Sequence, residues 1–200
     1  FPKDTRALDQ AARQSGYSFW MLKSAMEVNE LQRMRFVHKL CEAVDAPLAG
    51  RRVTLLGLSY KPGTDDLRQA PSIDIALRLQ ELGAEVTAHD PVALEKASEI
   101  LGGVRLVDDP FEALRGADAV GVITEWPQYI ELDWARVLTL VRRPVVVDGR
   151  NCLDRAQLAG LGFDYHAMGR PSAGTSARQQ HSSDRLRGGV WELARGGDDE

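Results

Sequence analysis

Cysteine is nearly absent from this sequence: 200 residues hold only Cys41 and Cys152. Two cysteines so far apart make neither a disulfide framework nor a metal-ligand pattern. A reducing, cytoplasmic setting is the expectation they leave. Long apolar runs are missing too. None reaches the roughly 18 residues that a membrane-spanning helix requires, and no stretch has the order of a secretory leader. Nor is there an excess of one charge: 25 basic residues face 29 acidic ones, a formal net charge of −4. That balance gives no electrostatic footprint for nucleic acid, and no basic run offers itself to an anionic membrane surface. Histidines and carboxylates do not cluster at metal-ligand spacing, and there is no internal repeat. The chain opens on Phe1-Pro2-Lys3-Asp4 without a methionine, which reads as a piece of a longer protein.

What is present falls into three stretches. Residues 1–47 read as helical. Asp4 or Thr5 can cap a short helix that Gly16 stops. A second, from about Phe19 to Val44, places Met26, Leu31, Met34, Val37, Leu40 and Val44 at roughly helical spacing. Its ~26 residues span ~39 Å, a length suited to pairing with another domain or subunit. Residues 48–170 alternate apolar runs with helical stretches. Strands are expected at Arg51–Gly57, Glu85–His89, Val104–Val107, Ala119–Ile123, Val145–Val147 and, more weakly, Phe163–His166. Helices are expected at Ser72–Leu82, Ala93–Leu101, Phe111–Leu114 and Trp134–Val141. This order predicts an α/β fold: a long central helix, then a doubly wound, Rossmann-like parallel sheet with helices on both faces. Residues 171–200 are polar and Gly-rich and read as a disordered tail, with Gly188–Leu193 as a candidate docking turn.

Ligands of such sheets sit beyond the carboxyl ends of the strands, which directs attention to two loops. Gly57–Pro71 holds Lys61 and Arg68, Asp65 and Asp66, and Gly57 and Gly63. A strand, a loop with cations, then a helix start suits an anion such as pyrophosphate, although this is not a GxGxxG fingerprint. The plainer alternative pairs Lys61 and Arg68 with Asp65 and Asp66 on a solvated surface. The second loop, Asp148-Gly149-Arg150-Asn151, offers an arginine able to clamp phosphate or carboxylate bidentately. Here the alternative is an arginine closing its own turn onto Asp148 or Asp154. Trp126 and Tyr129 read as packing residues, and both cysteines as core or near-surface thiols.

Five segments in order carry a resemblance: Phe1-Pro2-Lys3-Asp4-Thr5, Val28-Asn29-Glu30-Leu31-Gln32, Gly57–Pro71, Thr124-Glu125-Trp126 and Asp148-Gly149-Arg150-Asn151. Over about Phe1 to Pro171 the chain resembles the UDP-glucose/GDP-mannose dehydrogenase family, and the UDP-glucose branch within it. The resemblance implies an NAD-dependent oxidoreductase that converts UDP-glucose to UDP-glucuronate for polysaccharide biosynthesis. A cysteine captures the aldehyde, and hydride goes to NAD twice. It places that cysteine immediately before Phe1 and the NAD-binding domain upstream, so this stretch is expected to supply nucleotide-sugar binding and to be inactive alone.

Residue by residue, the resemblance implies a catalytic role for Asp4 beside the nucleophile, and substrate contacts from Phe1, Lys3, Tyr60, Lys61 and Arg150. Tyr60 stands where phenylalanine is more common. Arg68 matches an arginine that reaches NAD, and the long helix one that helps form a homodimer. Three other readings remain: a GDP-mannose 6-dehydrogenase, a non-catalytic nucleotide-binding module, and an interaction protein that assembles through the long helix.

Overall fold

The computed structural model describes residues 2–170, which form eight helices and a six-stranded sheet. Phe1 and the expected tail with its Gly188–Leu193 turn lie outside the described residues. Two helices lead: α1 (Pro2–Gln14) and α2 (Trp20–Val44). Then follow β1 (Arg52–Leu56), α3 (Pro71–Glu81), β2 (Glu85–His89), α4 (Leu94–Ile100), β3 (Arg105–Leu106) and α5 (Pro110–Leu114). β4 (Ala119–Val122), α6 (Pro127–Ile130), α7 (Trp134–Leu140), β5 (Val145–Asp148), α8 (Arg155–Leu161) and β6 (Asp164–Ala167) complete the chain.

The strand order is β3-β2-β1-β4-β5-β6, with every pairing parallel. Val53 pairs with Val86 on one side and Ala119 on the other. Winding therefore reverses between β1 and β4, and a doubly wound sheet opens its crevice at that point.

Because side chains alternate along a strand, the sheet feeds two cores. Val53, Leu55, Val145 and Val147 face α2, α3 and α4, meeting Leu40, Ile75, Leu79 and Ala97. Leu56, Val120, Val122 and Val146 face the other helices, meeting Leu114, Tyr129, Trp134 and Leu158. Burial on both faces explains why the strands read as continuous apolar runs.

Two helices escape the sequence reading. α6 is only four residues long, too short for any period. α8 buries Leu158 alone, so its apolar stripe is faint. Its ends were readable, since the Asp154 carboxylate accepts from the amides of Ala156 and Gln157, and Gly162 closes it at φ 99°. The first helix starts earlier than expected. It begins at Pro2, so Asp4 and Thr5 lie inside its first turn instead of capping it. Proline at a first helical position has no amide to leave unpaired.

Candidate functional site

The loop after β1 is built to pass close to the loop after β4. Gly57 has φ +93°, and a β-carbon there would lie 2.5 Å from that of Thr124. Both conditions select glycine. The Thr124 hydroxyl donates to the Ser59 carbonyl at 2.5 Å, and the Ser72 hydroxyl donates to the Leu58 carbonyl. Further along, the Tyr60 amide donates to the Asp66 carbonyl at 2.8 Å, folding the loop back on itself.

Asp90, at the end of β2 and 1% exposed, sits beneath this loop. One of its oxygens accepts from the amides of Leu58 (2.7 Å) and Ser59 (2.9 Å) and from the Ser59 hydroxyl (3.0 Å). The Trp126 indole N–H reaches both the Ser59 hydroxyl (3.1 Å) and the same oxygen (3.3 Å). The other oxygen accepts from the amides of Val92 and Ala93, each at 3.0 Å. Burial would raise the pKa of this carboxyl, but the donors from Ser59, Val92 and Leu58 outweigh it and hold Asp90 below the ordinary range. Asp90 was missed in the sequence. The only signal was an Asp-Pro step at a strand's carboxyl end.

The cations of the loop differ in their company. Arg68 forks onto Asp66, with Nε and an Nη donating at 2.9 and 2.8 Å, while its side chain stays 88% exposed. Hydrogen bonds from the Arg68 side chain and amide hold the Asp66 carboxyl far below the usual carboxylate range. Asp65 pairs with Lys96 of α4 at 2.5 Å. Lys61 is exposed and pairs with no described carboxylate, so the fully self-paired alternative holds for Arg68 and not for Lys61.

Across β4, the loop after β5 hangs on buried Asp148. That carboxylate accepts from the amides of Arg150 and Leu153 and the hydroxyl of Tyr165, each at 2.9 Å. Gly149 is a close approach: a β-carbon there would meet the Val122 carbonyl at 2.9 Å and the Phe36 ring of α2 at 3.1 Å. The Arg150 guanidinium pairs with Glu125 of the β4 loop. The expected side-chain partner was Asp148 or Asp154. Asp148 instead binds the Arg150 backbone, and Asp154 is occupied capping α8.

β1 and β5 flank β4, so the roots of the Lys61 and Arg150 loops are about 10 Å apart at ~4.8 Å per strand. Tyr60, Lys61 and Arg68 share one loop, and Arg150 meets it across the Thr124-Glu125-Trp126 turn. A groove of 580 Å³ lies beside this loop against Pro62, Gly63, Trp126, Pro127, Gln128 and Glu131, and Tyr60, Lys61, Arg68 and Arg150 are not in its lining. Asp4 is exposed on α1, which packs on α2. Lys3 falls in the same turn of α1.

Trp126 and Tyr129 are buried packing residues, as expected. Cys152 lies half-buried beside Asp148, and burial first, then the Asp148 charge, pushes its thiol up to about 12. It is a neutral thiol at pH 7 and a poor nucleophile. Among the described residues no group of three His, Cys, Asp or Glu could hold a metal ion, and no helix is long and apolar enough to cross a membrane.

Residues 54–155, the sheet from β1 to the start of α8, match the UDP-binding domain of the UDP-glucose/GDP-mannose dehydrogenase family. The chain belongs to that family. It is 42% identical over 173 residues to a UDP-glucose 6-dehydrogenase of Bacillus subtilis, covering 86% of this chain and 37% of that protein. With the UDP-glucose 6-dehydrogenase of Pseudomonas aeruginosa it shares 42% over 180 residues, or 87% and 40% of the two chains. The chain thus spans about two-fifths of the length of these relatives. A solved UDP-glucose dehydrogenase from Pyrobaculum islandicum superposes with a TM-score of 0.72 at 38% identity, over 83% of this chain and 36% of that one. That solved family member shares the doubly wound architecture over the superposed part.

Proposed function

We propose that this chain supplies the nucleotide-sugar site of an NAD-dependent UDP-glucose 6-dehydrogenase, which oxidises UDP-glucose to UDP-glucuronate. The observation that carries this reading is the placement of two cations at the winding reversal. Lys61 has no described carboxylate partner, and Arg150 is restrained by a single exposed one, Glu125. A nucleoside diphosphate brings negative charge that both can accept, Lys61 as a point charge and Arg150 as a fork. Displacing Glu125 from Arg150 costs little, because an exposed pair contributes only ~0–1 kcal/mol. Tyr60 beside Lys61 offers an aromatic face to the ligand. Phe1 and Lys3 complete the substrate contacts, and Asp4 serves the chemistry on the sugar.

NAD fits these residues at one point only. Arg68 is exposed on the rim and held by Asp66, which suits a contact to a cofactor bound elsewhere. The turn after β1 cannot cradle the cofactor's pyrophosphate, since the Leu58 and Ser59 amides are already bonded to Asp90. NAD would supply the hydride acceptor, and this chain's residues would bind and orient the sugar nucleotide.

Calorimetric titration of the chain with UDP and with GDP tests the reading. UDP should bind, more tightly than GDP. Lys61→Ala and Arg150→Ala should each weaken UDP by ~1.5–3 kcal/mol, roughly tenfold to a hundredfold. No UDP binding by the wild-type chain, or wild-type affinity in both variants, would remove the assignment.

A further inference from the structure

We infer that Asp90 is the positioning residue of this nucleotide site: its carboxylate fills the amide nest at the end of β1 and welds the loops after β1, β2 and β4 into one unit. Nucleotide phosphates are thereby left to the side chains of Lys61 and Arg150. The inference rests on the nucleotide-binding reading above.

Consecutive backbone N–H groups following a strand form an anion-binding concavity. At the winding reversal of a doubly wound sheet, that concavity ordinarily faces a ligand phosphate. Here the two N–H groups that leave β1, from Leu58 and Ser59, converge on one carboxylate oxygen of Asp90 at 2.7 and 2.9 Å. The nest holds an anion that the protein provides itself.

The same oxygen takes the Ser59 hydroxyl and the indole of Trp126, and its twin takes two amides of the following turn. Six donors therefore meet one side chain that has no donor of its own. They come from the loop that carries Lys61, from the turn after β2, and from the loop that carries Glu125, the partner of Arg150. The Thr124 hydroxyl on the Ser59 carbonyl completes the weld. Asp90 itself is buried beneath the loop, 1% exposed. It acts through Ser59 on Tyr60 and Lys61, and through Trp126 on Glu125 and Arg150.

Isosteric replacement discriminates sharply here. In Asp90→Asn one oxygen becomes an NH2 group, a donor pointed either at the four donors of the first oxygen or at the two of the second. Ser59→Ala is milder. It keeps the carboxylate and removes the hydroxyl that links Asp90 to Trp126.

The experiment measures UDP affinity by calorimetry and melting temperature for the wild-type chain, Asp90→Asn, Asp90→Ala and Ser59→Ala. All are studied where circular dichroism shows the folded state. Expected are a loss of UDP affinity of about tenfold or more in Asp90→Asn and about threefold or more in Ser59→Ala. Formate at tens of millimolar, a carboxylate small enough to enter the vacated nest, should recover UDP binding in Asp90→Ala and leave wild type unchanged. A residue that merely stabilised the fold would lower the melting temperature and leave the UDP affinity of folded protein intact. Affinities within about twofold of wild type, or no formate effect on a folded Asp90→Ala, overturn the inference while the UDP site itself stands. If neither Asp90 variant folds, Ser59→Ala decides by the same criterion. Failure of the wild type to bind UDP is a different result and removes the nucleotide reading itself.

Discussion

Gly57 shows how closely single positions are specified at this site. Its positive φ and the 2.5 Å approach to Thr124 act together. Alanine there combines left-handed strain with overpacking against a buried neighbour, and Gly57→Ala should cost ~2–4 kcal/mol in urea unfolding. His89 makes a second residue-level prediction. Its Nε2 lies 3.1 Å from the Asp108 carbonyl, which can only accept, and its Nδ1 lies 2.8 Å from the Tyr129 hydroxyl. A neutral ring protonated on Nε2 satisfies both when the Tyr129 hydroxyl gives its one proton to Nδ1; the His89 carbonyl, 3.0 Å from that hydroxyl, is served instead by the Gly57 amide at 2.8 Å. Burial pulls the imidazole pKa down, against the opposing Asp108 carbonyl and the charges of Asp90, Asp109 and Asp108. The unfolded chain, with its histidine near ~6.5, then binds the proton first as pH falls. This contribution to stability is complete above ~6.5 and is lost as pH drops below that value toward the lower folded pKa. The fall in melting temperature between neutral and mildly acidic pH should be smaller in His89→Gln than in wild type. An equal fall would place the proton elsewhere.

Among the elements, α2 is two helices in one energetically. Its last turns bury Phe36, Val37, Leu40, Ala43 and Val44 against the sheet. Its first turns leave Trp20 and Met21 72% and 79% exposed. The periodicity looked uniform in sequence because apolar spacing does not tell whether a partner exists for each turn. Phe36, whose ring lies over Gly121 and Gly149, should cost ~3–5 kcal/mol when replaced by alanine. Met21→Ala should stay within ~0.5 kcal/mol. At the other extreme, α8 has so small a buried face that its cap carries a large share of its stability. Asp154→Ala should cost ~1 kcal/mol, read in the same unfolding series.

For the molecule as a whole, exposed apolar residues on α2, among them Trp20, Met21, Val28, Leu31 and Met34, form a surface that seeks cover. We expect the chain to self-associate at tens of micromolar in sedimentation, and Met21→Glu with Leu31→Glu to return it to monomer. A wild-type chain that stays monomeric at that concentration would leave the expected homodimer unsupported. UDP affinity of the double variant should match wild type, since the strand ends that carry Lys61 and Arg150 do not depend on those turns.

Sequence alone determined the parallel sheet, because runs such as Val53–Leu56 and Val145–Val147 can be buried only between two helical layers. It also determined the loops at which chemistry should gather, since strand order in the chain fixes which loops leave the carboxyl ends. The resemblance to the family added candidate roles to Lys61, Arg68 and Arg150. The ionic partners were decided only by tertiary structure. Arg150 pairs with Glu125, 25 residues away in the chain, and Asp65 pairs with Lys96 of α4. Asp90 is the clearest case. Two of its donors, the Val92 and Ala93 amides, are local, but the other four lie 31 or 32 residues before it and 36 after it. A carboxylate's neighbours depend on how strands lie side by side, and local sequence carries no record of that.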